Sequence, residues 1–364
     1  MKITCVETLI VTMPMLIEGA TPMQGGQART SIDVLLVRVD TDAGVTGWGE
    51  AFGHRVIHAT RAAVDTLVAP LCLGRDPREI GALHDHLQRM LHGVGRSGPA
   101  LYAISGIDIA LWDIAGKLAG QPLYRLLGGG QRADLPAYAS LLRYGAASAV
   151  AHHTAEALSR GYRHIKLHEI TVPEVQAARE VAGPDVPIMV DTNCPWTVEQ
   201  AVEMARRLAP LGLHWLEEPV WPPENLAGLA EVRQRGGIPT AAGENYGTAW
   251  EFRRAFEAGA IAYAQPSVTK VGGVTELRRV IALAETSGVQ VVPHSAYFGP
   301  GLLASIHCIA AMPGESWVER YYCDFAENLL GDAIHPQGGR IPVPQGPGLG
   351  VDPDPGLLEK LRAR

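Results

Sequence analysis

The chain has 364 residues, enough for one large domain or two of ordinary size. Hydrophobic residues make up 47% and charged ones 19%, so a packed core is expected and disorder is not. The net charge of −7, with no run of Lys or Arg, argues against a nucleic-acid partner.

The five cysteines (Cys5, Cys72, Cys194, Cys308 and Cys323) are scattered and odd in number. That pattern fits a reducing compartment rather than a disulfide frame. The longest uncharged stretch, 295–314, is broken by Gly299-Pro300-Gly301 and leaves a run too short to span a bilayer. Residues 8–17 are apolar but lack the basic flank and cleavage site of a secretory signal. A cytoplasmic protein with no membrane partner is expected.

In chain order, 3–12 and 31–39 carry strand-type residues, and the second run turns through 40–44 into 45–50, a hairpin signal. Helical patterns follow over 59–71, 77–91 and 98–119; in the last, Ala103, Ile107, Ala110, Leu111 and Ile114 recur at helical spacing. Strands followed by helices suggest a separate α+β unit. Gly128-Gly129-Gly130 is the best boundary after it.

From residue 136 the pattern becomes regular. Short apolar runs at 136–140, 164–168, 188–191, 215–217, 240–244, 263–267, 289–294 and 317–319 alternate with helix-like segments. Their polar ends recur every 23 to 27 residues. Eight strand–helix units at a steady period predict parallel strands closed into a βα barrel. In that fold the C-terminal strand ends face one mouth, where the chemistry sits. The Pro/Gly-rich tail from 342 is expected to fold back on the first unit.

Three carboxylates stand on successive strand ends: Asp191, Glu217 and Glu244. One such acid is as often a helix cap or an ion-pair member as a ligand. Three facing one mouth would repel each other without a cation. An all-oxygen set favours a hard divalent ion, Mg²⁺ ahead of Ca²⁺ or Mn²⁺. Strand alternation lets only one of Glu217 and Glu218 point inward, and Glu217 is in step with its neighbours.

Lys166 and His168 share a strand face, while His294 and Glu319 end the seventh and eighth runs. These are candidate proton-transfer groups. A lone His is more often a satisfied core residue, but their company around a metal set reverses that reading. His84, His86, His92, His152 and His153 fall in segments of mixed polarity and are read as solvated.

The set Lys166-Leu167-His168, Val190-Asp191-Thr192-Asn193, Glu217-Glu218-Pro219, Gly243-Glu244-Asn245, Gln265-Pro266-Ser267 with Gly272-Gly273, Pro293-His294 and Val318-Glu319 resembles the enolase superfamily, closest to its mandelate racemase subgroup. Gly47-Trp48-Gly49-Glu50 and the 107–113 helix are similar to that group as well. The resemblance covers essentially the whole chain. It implies an α/β protein with a modified (β/α)₇β TIM-type barrel over 129–335. An α+β capping domain over 1–128 would be completed by the C-terminal segment 336–364. It further implies Mg²⁺ on Asp191, Glu217 and Glu244, a small carboxylate substrate and a homo-oligomer.

By the same resemblance, Lys166 contacts the substrate carboxylate and His168 is the base. Asn193 hydrogen-bonds substrate beside the metal, His294 is the acid/base of the opposite face, and Glu319 is a protonated donor with a raised pKa. Where the subgroup pairs an Asp with that histidine, this chain has Ser267. Serine can orient His294 but cannot stabilise its imidazolium as a carboxylate does. Racemisation needs competent bases on both faces; elimination or a ring reaction can start with one. The chain therefore reads as an Mg²⁺-dependent lyase dehydrating an acid sugar to a 2-keto-3-deoxy acid. A racemase, epimerase or lactone cycloisomerase is the alternative, and a silent carboxylate-binding barrel is the rival from outside enzymology. Substrate choice is expected from cap segments 14–30, with Met15, Leu16, Ile17 and Met23, and 51–60, with His54 and Arg55. Tyr297 and Phe298 either line the pocket or plug the barrel rim.

Overall fold

Strand β1 (Ile3–Leu16) pairs antiparallel with β2 (Ser31–Thr41), which turns back into β3 (Thr46–Ala51). The computed structural model describes residues 1–16, 23–24 and 27–363. Of the apolar group in the first cap segment, Ile17 and the Met23 side chain lie outside the described residues. Met15 is buried in the core and Leu16 is exposed.

Helix α2 (Gly98–Ala119) covers one face of this sheet, and α1 (Ile80–Met90) packs against α2. The sheet and α2 approach so closely that a Cβ on Gly49 would lie 1.9 Å from the Gly106 carbonyl, and glycine alone fits there.

The barrel alternates strands and helices: β4 (Asp134–Ser140), α3 (Ala147–Ser159), β5 (Ile165–Leu167), α4 (Val172–Ala182), β6 (Ile188–Asp191), α5 (Val198–Leu208) and β7 (Trp215–Glu217). It continues through α6 (Leu226–Gly236), β8 (Thr240–Ala242), α7 (Thr248–Glu257), β9 (Tyr263–Ala264), α8 (Gly273–Ser287), β10 (Gln290–Val291), α9 (Pro300–Ala311) and β11 (Val318–Tyr321). All eight expected strands are present, joined by seven helices. They pair in parallel from β10 back to β4, and β4 pairs with β11. Side chains close the seam between β10 and β11. Ser316 Oγ donates to the Val291 carbonyl at 2.9 Å, and Ser295 Oγ to the Glu319 carbonyl at 3.1 Å.

The two-residue period of the strands builds the barrel interior in layers. Tyr138, Met189, Trp215, Ala241 and Val292 form an apolar floor. Two residues further along the same strands stand Ser140, Asp191 and Glu217, so the polar layer lies at the C-terminal mouth.

Cap and barrel are pinned at several points. Glu50 at the end of β3 is buried and accepts from the Gly301 N–H in the first turn of α9 at 2.9 Å, a favourable place for an anion. Burial nonetheless pushes its carboxyl up to about 7. Asp108 of α2 accepts from Thr275 N–H at 2.9 Å, and a Cβ on Gly273, whose φ is +85°, would meet Asp108 at 2.3 Å.

His84 corrects the expectation that it is solvated. It is 2% exposed, with Nε2 at 3.0 Å from the Gly272 carbonyl, because α1 is pressed against the barrel rim. His86 and His153 are half-buried, while His92 and His152 are exposed.

The final helix, α10 (Pro355–Leu361), lies against β1, and the Ala363 N–H donates to the Ile10 carbonyl at 2.9 Å. Upstream, buried His307 of α9 holds the tail: its Nε2–H donates to the Leu349 carbonyl at 3.1 Å. Burial lowers this imidazole to about 4. All five cysteines are free, and no described helix is long and apolar enough to cross a membrane.

Candidate active site

At the mouth, Lys166 on β5 is completely buried. Its Nζ stands 2.8 Å from Glu217 Oε1, 3.1 Å from Glu319 Oε1 and 3.2 Å from Asp191 Oδ2. Burial opposes its charge, but these three carboxylates outweigh that and raise its pKa well above the usual lysine value. The ammonium thus sits behind the acids and does not line the cavity above them.

Asp191, Glu217 and Glu244 bring oxygens within 4.8 Å of one another. Asp191 Oδ1 accepts from both the backbone and the side-chain N–H of Asn193 (3.0 and 2.9 Å), whose φ is +53°. Such a left-handed turn at a non-glycine residue is held here by those two bonds. Glu217 Oε2 accepts from Gln265 Nε2 at 2.7 Å and Trp215 Nε1 at 3.0 Å.

Burial pushes Glu217 up to about 8, helped by neighbouring Asp191. Asp191, though buried, is held low by Lys166 and His168. Glu244 is held low against its burial by Lys270 and His294. Three carboxylates share the Lys166 ammonium, and Glu244 beside them meets Lys270 only at 3.7 Å, an excess of acids over ammonium groups that an additional cation would neutralise. All the donors are oxygens, so this set fits a hard divalent ion.

Glu218 is also buried and accepts from Asn245 Nδ2 at 3.2 Å, behind the cluster rather than in it. A second grouping, His152, His153 and Glu156, lies on α3. Its Glu156 is already engaged by Arg160 at 2.6 Å and His153 at 3.1 Å.

His168 follows β5. Its Nδ1 lies 2.5 Å from the Leu141 carbonyl, which can only accept, so that nitrogen carries the proton. Nε2 then faces the cavity beside Asp191 Oδ2, at 3.4 Å. Across the mouth, His294 Nε2 stands 3.0 Å from Glu244 Oε2.

Ser267 reaches His294 Nδ1 only at 3.4 Å, and the Tyr297 hydroxyl is closer at 3.1 Å. Ser267 and Tyr297 are themselves hydrogen-bonded. Sequence reasoning singled out Tyr297 without seeing this role; its position three residues after His294 was the available signal. Phe298 is buried against Phe325 and plugs the rim.

Glu319 departs from expectation. Its oxygens accept from Ser140 Oγ (2.8 Å), the Ser295 N–H (3.1 Å) and Lys166. Burial would raise its pKa, but Lys166, then His294 and Ser140, outweigh that and lower it. In this arrangement it is a carboxylate, not the protonated donor anticipated.

Above these groups opens a cavity of about 430 Å³, in the range of small-molecule sites. His168, Asp191, Asn193, Glu244, His294 and Glu319 reach it from the barrel. Phe52, His54 and Arg29 reach it from the cap, whereas Arg55 is exposed outside it.

Residues 9–128 match the family described as mandelate racemase / muconate lactonizing enzyme, N-terminal domain, and residues 149–357 match enolase C-terminal domain-like proteins. The chain is 34% identical to the D-galactarolactone cycloisomerase of Agrobacterium fabrum, covering 100% of this chain and 99% of that one. It is 31% identical to the arabinonate dehydratase of Saccharolobus solfataricus, with 93% of each covered. A crystal structure of a racemase from Streptomyces coelicolor A3(2) with bound magnesium superposes with a TM-score of 0.89. It is 31% identical and covers 99% of this chain and 100% of that one.

Proposed function

The chain belongs to the mandelate racemase / muconate lactonizing enzyme family of the enolase superfamily, and from that premise we propose that it abstracts the α-proton of an acid-sugar carboxylate and eliminates water. The observation that carries this reading is the fixed tautomer of His168. Its Nδ1–H is committed to the Leu141 carbonyl, so Nε2, on the cavity beside Asp191 Oδ2, is the nitrogen left to exchange a proton with substrate.

Asp191, Glu217 and Glu244 would hold Mg²⁺, which when bound supplies Lewis-acid stabilisation of the charge that develops on the substrate carboxylate. The protein's own contribution begins with placement. Lys166 keeps a permanent positive charge beneath the reacting end, where a developing anion gains most in a buried site. Asn193, pinned to Asp191, lines the cavity and orients the substrate.

His294 acts on the other face. Its Nε2 points at the Glu244 carboxylate, which can only accept, so the proton belongs on Nε2. Nδ1 is then an acceptor, satisfied by the Tyr297 hydroxyl, which a carboxylate partner could never do. His294 thus presents an N–H rather than a lone pair. That N–H can hydrogen-bond a departing hydroxyl, with the proton itself supplied only when Nδ1 is protonated as well, and it disfavours racemisation, which needs a second base.

Cycloisomerisation is a second reading, supported by the cycloisomerase among the relatives, and it uses the same first step. The test is proton NMR in D₂O with Mg²⁺ and a panel of aldonic, aldaric, lactone and simple α-hydroxy acids. Loss of the α-proton signal with a new 2-keto-3-deoxy product supports dehydration. A new species of unchanged mass supports cycloisomerisation, and exchange without a new product supports racemisation. Mg²⁺ binding with no exchange anywhere in the panel would overturn proton abstraction.

A further inference from the structure

Charge is distributed unevenly around the cavity. The acids Asp191, Glu217 and Glu244 sit at the ends of β6 to β8, on one side of the mouth. The opposite side, over β11 and β4, carries two arginines above Glu319, whose charge Lys166 meets from below. Ser140 and Tyr321 are register partners on those two strands. Arg143 follows Ser140 by three residues, and Arg29 comes down from the cap onto Tyr321. Both residues line the cavity, Arg29 over β11 and Arg143 reaching from the end of β4 to the His168 carbonyl.

Each arginine is held by one edge and presents the rest of its fork. Arg143 donates Nε–H to the His168 carbonyl at 2.5 Å, which leaves both of its terminal nitrogens. Arg29 donates from Nη1 to the Tyr321 hydroxyl at 2.9 Å and lies over that ring, 5.1 Å from its centroid. Among the described residues neither guanidinium meets a carboxylate within ion-pair distance. The third cation of the cavity, Lys270, differs: its Nζ is 3.7 Å from Glu244 and 4.3 Å above the Phe52 ring.

We infer that Arg29 and Arg143 form a subsite for a second, terminal carboxylate, so that the preferred substrates are diacids of the aldaric class or their lactones rather than aldonic monoacids. This rests on the site proposed above. A substrate whose reacting carboxylate lies over β6 to β8 and whose α-carbon lies between His168 and His294 extends its far end toward β11 and β4. A terminal hydroxymethyl group there offers neither guanidinium a counter-charge. A terminal carboxylate neutralises them and matches the planar guanidinium fork with paired, charge-assisted bonds.

The test uses the full-length protein with Mg²⁺ and matched pairs that differ only at the far end, galactarate against galactonate and glucarate against gluconate. 6-Phosphogluconate is added as a third arm. Calorimetric Kd and α-proton exchange in D₂O are measured for each, and for Arg143→Gln and Arg29→Gln. At least one diacid is expected to exceed its monoacid about 10-fold or more in affinity or kcat/KM, as one well-made charged pair allows. Either variant should shrink that ratio through the diacid KM, and Arg143→Lys, which keeps the charge without the fork, should retain part of it. Equal binding of each pair, tighter binding of the phosphate, or a ratio untouched in both variants would overturn the subsite. Preferential diacid binding without exchange of any α-proton would instead sink the proposed reaction and leave the subsite standing.

Discussion

The hydroxyl of Tyr297 stands 3.1 Å from Nδ1 of His294, nearer than the Ser267 oxygen at 3.4 Å. A hydroxyl can donate where a carboxylate can only accept, so this pairing accommodates the proton on Nε2 that the Glu244 carboxylate calls for. Tyr297→Phe removes that donor from a buried site while keeping the ring. The expected result is a fall in kcat of roughly 10- to 100-fold with KM changed by less than about 3-fold, since positioning rather than binding is lost. Steady-state kinetics on the substrate found by the NMR panel checks this. Ser267→Asp should pull the proton to Nδ1 and bare Nε2. Product formation should then fall while α-proton exchange persists.

His168→Ala should stop α-proton exchange, with a loss on the order of 10³-fold or more if the base is absent. Exchange is read directly as the disappearance of the α-proton signal in D₂O. Retained exchange would move the role to Lys166 or His294. The Leu141 carbonyl, left without its donor, is at a strand end near the cavity and can be met by water, so the fold should survive, as circular dichroism would verify.

Mg²⁺ should stabilise the protein by mass action, about 2.7 kcal/mol when present at a hundred times its Kd. Glu244→Gln removes one charge and one strong ligand. Thermal unfolding should show an upward shift with Mg²⁺ in the unaltered protein, little or none in the variant, and reversal by EDTA. Activity should be lost in parallel. An unchanged Mg²⁺ response would remove the metal assignment.

Two buried groups predict opposing pH slopes of stability. His307 is held near 4 when folded against 6.5 in the open chain, so the unfolded state takes up a proton first as pH falls. Its contribution is present above about 6.5 and is lost on the way down to 4, by about 3 kcal/mol. Glu50 is held near 7 against 4.5, so its contribution is present at low pH and is lost, by a similar amount, as pH rises from 4.5 to 7. Between pH 4.5 and 6.5 the two largely cancel. Denaturant unfolding of Glu50→Gln should show stability rising with pH in that window, and His307→Gln should show it falling. Parallel curves for all three proteins would contradict both shifts.

The barrel was readable because eight strands of similar length repeat a polar end at a near-constant step, and the acids that matter occupy those ends. What escaped the sequence involves partners far along the chain. His84 looks like any surface histidine of a mixed-polarity helix until Gly272, 188 residues away, is brought to its Nε2. Arg143 belongs to a loop with no pattern of its own, and Arg29 is placed by Tyr321, 292 residues further along the chain. The ionisation of Glu319 could not be read either, since it depends on how many donors surround two oxygens. Lys166, Ser140 and the Ser295 N–H come from three different strand ends.

The contact between Glu50 and the first turn of α9 divides the cap into a root and a tip. Glu50, Asp108 and His84 anchor it to the barrel through backbone groups, which every side-chain variant of the barrel loops would still offer. Arg29, which faces the cavity, meets the barrel through a side chain instead, the Tyr321 hydroxyl. The backbone-held anchorage and the residue that selects substrate are therefore written in different places. The recognition segment can be rewritten while the base, the acid and the metal ligands keep their places.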